Sequence, residues 1–83
     1  MLYSCLCCGF LTYPEEPGDT YNICPVCYWE DDPVQNDDPT FSGGANSMSL
    51  LEARDNFRKY SAISLEFVKR VRKPLPEEYP DNC

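Results

Sequence analysis

Two Cys-x-x-Cys pairs, Cys5 with Cys8 and Cys24 with Cys27, stand fifteen residues apart in a chain of 83 residues. A two-residue spacer lets a tight turn aim both sulfurs at one ion, and two such turns complete a closed tetrahedral site of four thiolates. So short a chain has little apolar surface to set against its chain entropy, and a bound metal or disulfides commonly make up the difference. The sequence holds six cysteines and no histidine. Thiolate is therefore the complete donor set, which suits zinc or mononuclear iron and not magnesium or calcium. Gly9, directly after the first pair, suits a turn that needs positive φ.

The choice between metal and disulfides turns on compartment. The start, Met1-Leu2-Tyr3-Ser4-Cys5, lacks a basic segment followed by an apolar one, and no run of eighteen apolar residues occurs. The expectation is a cytoplasmic protein without signal peptide or membrane span, in which clustered cysteines hold metal. Cys7 is expected as a buried thiol beside the site and Cys83 as a free terminal thiol. A redox pair would need an exposed, low-pKa thiol at a helix N-terminus, and two matched pairs argue against that.

Charge is distributed unevenly. Residues 1 to 46 hold eight acids and no base, whereas 47 to 83 hold six acids and all seven bases, for a net charge of −7. A net negative charge opposes binding to a nucleic-acid backbone or an anionic membrane. The basic stretch 54 to 73 leaves a nucleic-acid-binding zinc module as one alternative, although a basic segment beside an acidic half reads better as its internal complement. Four thiolates around a divalent ion carry net charge −2, and Arg54, Arg58, Lys59, Lys69 and Arg70 are the bases expected to offset it by packing the C-terminal half on the cysteine half.

Along the chain, Tyr3 to Tyr13 predicts a metal turn followed by a strand, and Tyr21-Asn22-Ile23 a returning strand that enters the second turn. Residues 33 to 47, with Pro33, Pro39, Gly43 and Gly44, predict an irregular acidic loop packed through Trp29 and Phe41. Ser49 with Glu52 forms a capping box, and Leu50, Ala53, Phe57 and Tyr60 recur on one helical face. Ser64 is expected to cap a second helix with a Leu65, Val68, Val71 stripe that stops before Pro74, and the tail to Pro80 is expected to be extended. The predicted fold is a single α+β domain over residues 1 to 83: a zinc-ribbon-like, cysteine-clasped β-hairpin, the acidic loop, then two α-helices.

Four blocks, Cys5-Leu6-Cys7-Cys8-Gly9, Cys24-Pro25-Val26-Cys27-Tyr28-Trp29-Glu30-Asp31-Asp32, Gly43-Gly44-Ala45-Asn46 and Ser49-Leu50-Leu51-Glu52-Ala53-Arg54-Asp55-Asn56-Phe57, together resemble the bacterial cysteine-rich CPCC family. Leu6 stands where the family's name-giving motif has proline, which leaves the ligands untouched. The resemblance implies a small bacterial zinc-binding protein without an established enzymatic activity.

Without histidine there is no Ser-His-Asp triad and no Cys-His dyad. The acids Glu30, Asp31, Asp32, Asp37 and Asp38 do not follow a calcium-loop order, and Gly43-Gly44-Ala45-Asn46 is not followed by the Gly-Lys-Ser/Thr of a phosphate loop. The expected function is a non-catalytic binding module that meets a protein partner with a basic surface, such as a bacterial toxin, through Glu30, Asp31, Asp32, Asp37 and Asp38. The competing class is a metal- or thiol-dependent enzyme in which Cys7 is the reactive thiol.

Overall fold

Both cysteine pairs form the same backbone turn. In the first, the Gly9 N–H donates to the Cys5 carbonyl at 2.9 Å and the Cys5 N–H to the Phe10 carbonyl at 2.9 Å; in the second, Tyr28 donates to Cys24 at 2.8 Å and Cys24 to Trp29 at 2.9 Å. The residue after each second cysteine sits at positive φ, 83° for Gly9 and 79° for Tyr28. These features come from a computed structural model, which describes residues 2–80; Cys83 lies outside the described residues.

Around the first turn, β1 (Tyr3–Ser4) pairs antiparallel with β2 (Leu11–Tyr13). Around the second, Ile23 forms an isolated antiparallel bridge to Glu30, flanked by Tyr21 N–H to the Asp31 carbonyl and Asp31 N–H to the Asn22 carbonyl, each 3.0 Å. The expected return of Tyr21-Asn22-Ile23 alongside the first strand is thus corrected: each cysteine pair tips its own short antiparallel arm. Closing an arm over a few residues costs less chain entropy than pairing across the turn-rich stretch from Pro14 to Asp19. The pairing of Tyr3 with Tyr13 but Ser4 with Leu11 leaves a bulge at Thr12, the kind of irregularity that re-aims a side chain.

The acidic stretch is more ordered than expected. A short helix, α1 (Pro33–Asp37), begins where Asp32 Oδ1 accepts from Val34 N–H at 2.8 Å and Gln35 N–H at 3.4 Å, with Pro33 in the first turn. Asp32 Oδ2 accepts from Ala45 N–H at 2.8 Å. A Cβ at Gly44 would lie 2.5 Å from that same oxygen, so the close approach requires glycine there. The fully buried Gln35 is the hub: its Nε2 lies 3.0, 3.1 and 2.9 Å from the carbonyls of Phe41, Asn46 and Met48, and its Oε1 accepts from both Asn46 nitrogens at 2.9 Å. Side-chain amides thus replace the missing ladder bonds of this loop. Phe41, expected to pack, is 41 % exposed.

The capping box forms as expected. Ser49 Oγ accepts from Glu52 N–H at 3.1 Å and Glu52 returns a bond to Ser49 N–H at 3.0 Å, opening α2 (Leu50–Tyr60). Leu50 and Ala53 are buried, Phe57 is half-buried with its ring edge-on to Phe10, and Tyr60 is exposed. The expected second α-helix is instead a 3-10 helix, Leu65–Arg70; Ser64 makes no capping bond, and its buried Oγ has no hydrogen-bond partner. Leu65, Val68 and Val71 repeat every three residues, the 3-10 period and not the 3.6 of an α-helix. Within the tail, a 3-10 turn at Pro76–Glu78 lets Glu78 take two bonds from Arg72 at 2.9 and 2.8 Å.

The C-terminal half closes over the cysteine arms by serving their carbonyls. Arg54 donates through Nε and Nη2 to Leu6 at 3.0 and 2.8 Å, Ile63 N–H to Cys27 at 2.9 Å, and Arg72 N–H to Pro25 at 3.1 Å. Tyr13, Val26, Trp29, Leu50 and Ile63 bury around the cysteines as one core. No helix among the described residues is long and apolar enough to cross a membrane.

Gln35→Ala should destabilise by about 3 kcal/mol or more, since it strips partners from several buried groups at once, whereas Phe41→Ala should change stability by less than about 0.5 kcal/mol. Urea midpoints of the two variants would invert if the loop were held by apolar packing. Arg72 holds the Glu78 carboxyl below its ordinary value, against the effect of burial. The stabilisation by this pair is therefore fully present above the unfolded carboxylate pKa and fades as pH falls through the lowered folded value. Melting temperatures of the protein and Glu78→Gln should differ at neutral pH and converge in acid.

Candidate metal centre

The two arms bring Cys5, Cys8, Cys24 and Cys27 together so that all four sulfurs lie within 4.8 Å of one another. Between arms, the Cys5 sulfur lies 3.6 Å from that of Cys27 and the Cys8 sulfur 3.7 Å from that of Cys24. Those distances are too long for a disulfide and all five described cysteines are free. They approach the edge of about 3.8 Å that a tetrahedron with metal–sulfur bonds of about 2.3 Å requires. The donor set, its geometry and its seclusion therefore fit a metal ion: Cys5, Cys24 and Cys27 are buried and Cys8 is half-buried.

Backbone and hydroxyl donors surround the sulfurs. Cys7 N–H donates to Cys5 Sγ and Trp29 N–H to Cys27 Sγ, each at 3.4 Å, the same two-residue offset in both arms. The bulge aims Thr12 across to the other arm, where its hydroxyl lies 3.0 Å from Cys24 Sγ. The Tyr13 hydroxyl is 3.7 Å from Cys5 Sγ and donates to the Trp29 carbonyl at 3.3 Å. Such outer contacts orient ligands and spread thiolate charge. Without an ion the sulfurs titrate unequally. Hydrogen bonds from Cys27, Cys5 and Cys8 pull Cys24 well down, while burial and then Cys24 push Cys27 well up.

The bases stand differently from the expected arrangement. Arg54 reaches the first arm, but through the Leu6 carbonyl, and Arg58 pairs with its helix neighbour Asp55 in solvent. Thr12, Ile63 and Arg72 were not legible as supports of the centre, because a bulge and two backbone donors have no residue-type signature. Cys7 is buried and stands outside the four-sulfur cluster.

The five acids expected to form one outward face are split. Asp31 is fully buried: its Oδ2 accepts from Gly18 N–H at 2.8 Å, Thr20 N–H at 3.0 Å and the Thr20 hydroxyl at 2.8 Å, and its Oδ1 from Asn36 Nδ2 at 2.6 Å. Burial opposes its ionisation, but these donors outweigh burial and hold its carboxyl below the ordinary value. Asp32 is buried as the α1 cap. Placing Asp31 and Asp32 on a contact face is thereby corrected, since their oxygens are committed to the interior. Glu30 is half-buried, while Asp37 and Asp38 are exposed at the end of α1.

Residues 3–78 match the family model described as Cysteine-rich CPCC. No curated protein matches the chain.

The holo-protein should carry one ion per chain and unfold on chelation, because structural thiolate sites contribute on the order of 10 kcal/mol, comparable to the whole stability of a small domain. Cys24→Ser should abolish both metal and fold. Lowering pH should release the ion, since protons compete for the thiolates. Native mass spectrometry that found a folded, metal-free chain at neutral pH would contradict this centre.

Proposed function

The chain belongs to the cysteine-rich CPCC family, and on that premise we propose that it is a non-catalytic, zinc-stabilised module that binds a protein partner. The observation that carries the structural role of the metal is the completeness of the ligand set: four cysteine sulfurs converge from two arms, and a filled thiolate tetrahedron leaves no position for a substrate or water. Zinc takes that geometry without redox chemistry of its own. The facing arms then amount to a zinc-ribbon-like clasp, and the reducing cytoplasm would keep its thiolates intact.

The partner arm of this reading rests on charge. Acids without basic neighbours steer association toward basic surfaces, the toxin-neutralising form of this function. Glu30, Asp37 and Asp38 are the members of the acidic stretch open to contact, while Asp31 and Asp32 hold the stretch in place from inside. The enzyme alternative would need Cys7 accessible.

Cobalt substitution tests the closed site. The cobalt protein should show the absorption of a tetrahedral four-thiolate ion, unaltered by imidazole or cyanide, and iodoacetamide should leave Cys7 unmodified in the native holo-protein. A spectrum that shifts with added ligand, or fast alkylation of Cys7, would favour the enzyme instead. For the partner arm, Asp37→Lys with Asp38→Lys should preserve the metal content and slow association with a basic partner several-fold, with a weaker salt dependence; unchanged rates would reject the acidic face.

A further inference from the structure

The position after the second cysteine of each arm differs in a way that asks for a reason. Gly9 occupies it in the first arm, without a steric penalty for positive φ, but Tyr28 occupies it in the second. An aromatic residue in that region is strained, and such strain is retained where the side chain must point somewhere specific. The Tyr28 ring stacks on Phe67 with centroids 4.4 Å apart and planes 17° from parallel. Both rings line a cleft of about 280 Å³, together with Ile23, Ile63, Glu30 and Glu66.

Its two carboxylates are alone. Neither Glu30 nor Glu66 has a side-chain hydrogen bond or ion pair among the described residues, although Glu66 lies in the basic half of the chain. No lysine or arginine lines the cleft. The backbone of Glu30 is nonetheless fixed: Asn46 receives its N–H at 2.9 Å and donates to its carbonyl at 2.9 Å, in the manner of a neighbouring strand. Two unpaired carboxylates and two aromatic rings in one lining are complementary to an organic cation that is planar and apolar on its faces. Guanidinium meets that description better than ammonium, because it stacks on rings and bonds carboxylates in a fork.

We propose that this cleft between the second cysteine arm and the 65–70 helix is a receptor site for an arginine side chain of a basic protein partner. The inference rests on the protein-binding reading above and deepens it by naming the residues that read the partner. Glu30 and Glu66 receive the guanidinium, and Tyr28 and Phe67 cover its face. Asp37 and Asp38, outside the cleft, contribute attraction at long range.

The test is titration of isotopically labelled zinc-loaded protein with an Arg-Gly-Arg-Gly-Arg peptide and its lysine counterpart. Amide shifts should centre on residues 23, 28, 30, 63, 66 and 67, with the arginine peptide the tighter ligand. Glu30→Gln with Glu66→Gln should weaken it by about tenfold, as expected when charge-assisted hydrogen bonds are lost, whereas Asp37→Asn with Asp38→Asn, an equal change of charge, should weaken it by less than about threefold. Tyr28→Gly should keep its zinc, relieve the strained φ and still lose the peptide, which a purely structural tyrosine would not do. Equal weakening by the two acid pairs, or equal affinity for the lysine peptide, would overturn the cleft. Shifts on another surface would overturn it while leaving the binding-module reading intact, and no shifts at millimolar peptide would count against the cleft and the basic partner together.

Discussion

Four thiolates brought to one point would repel each other, and a cation held among them would answer that repulsion. Everything else is arranged around this constraint. Among the described residues the two arms share no ladder with each other; they meet through sulfurs 3.6 and 3.7 Å apart and through the hydroxyls of Thr12 and Tyr13. The C-terminal half contributes donors to the turn carbonyls through Arg54, Ile63 and Arg72, so it braces the outside of the clasp and does not enter it. The sheet has five strand residues, Tyr3–Ser4 and Leu11–Tyr13, too little to be stable without the packed core around the cysteines.

A second, polar interior compensates for the scarcity of regular structure. Residues 30 to 46 would expose many backbone groups if left as an open loop. Instead Asp31, Asp32, Gln35 and Asn46 are buried and bind backbone N–H or carbonyl groups directly. Networks of this kind rigidify when every member is satisfied and are costly when one is lost. The acidic character of this stretch is therefore partly architectural, with the buried Asp31 and Asp32 acting as backbone receptors.

The metal centre was legible because cysteine spacing encodes its own geometry, and the capping box because Ser49 and Glu52 serve each other within one turn. The family resemblance was legible for the same reason, since its blocks carry these local motifs. What escaped was anything whose meaning lies in a distant partner. An acid run has one appearance whether it faces water or folds back on Gly18 and Ala45. The α1 start did carry a signal, an Asp followed by Pro33 at the first helical position, but a helix of five residues shows no periodicity to support it. The Leu65, Val68, Val71 spacing fits both helix types, although its strict period of three favours the 3-10 form, and two arms look like one hairpin in sequence because a strand pattern does not name its partner.

The separation of the arms by fifteen residues has a consequence for assembly. An ion caught by one pair of thiolates sees the other pair at an effective concentration of the order of millimolar, as for any short flexible tether. Loops of about this length close in tens to hundreds of nanoseconds, far faster than two dilute chains meet. Capture of an ion would therefore proceed within one chain, ahead of cross-linking two molecules through half-sites. The tether length would thus make a bound metal favour closure of the site within a single chain.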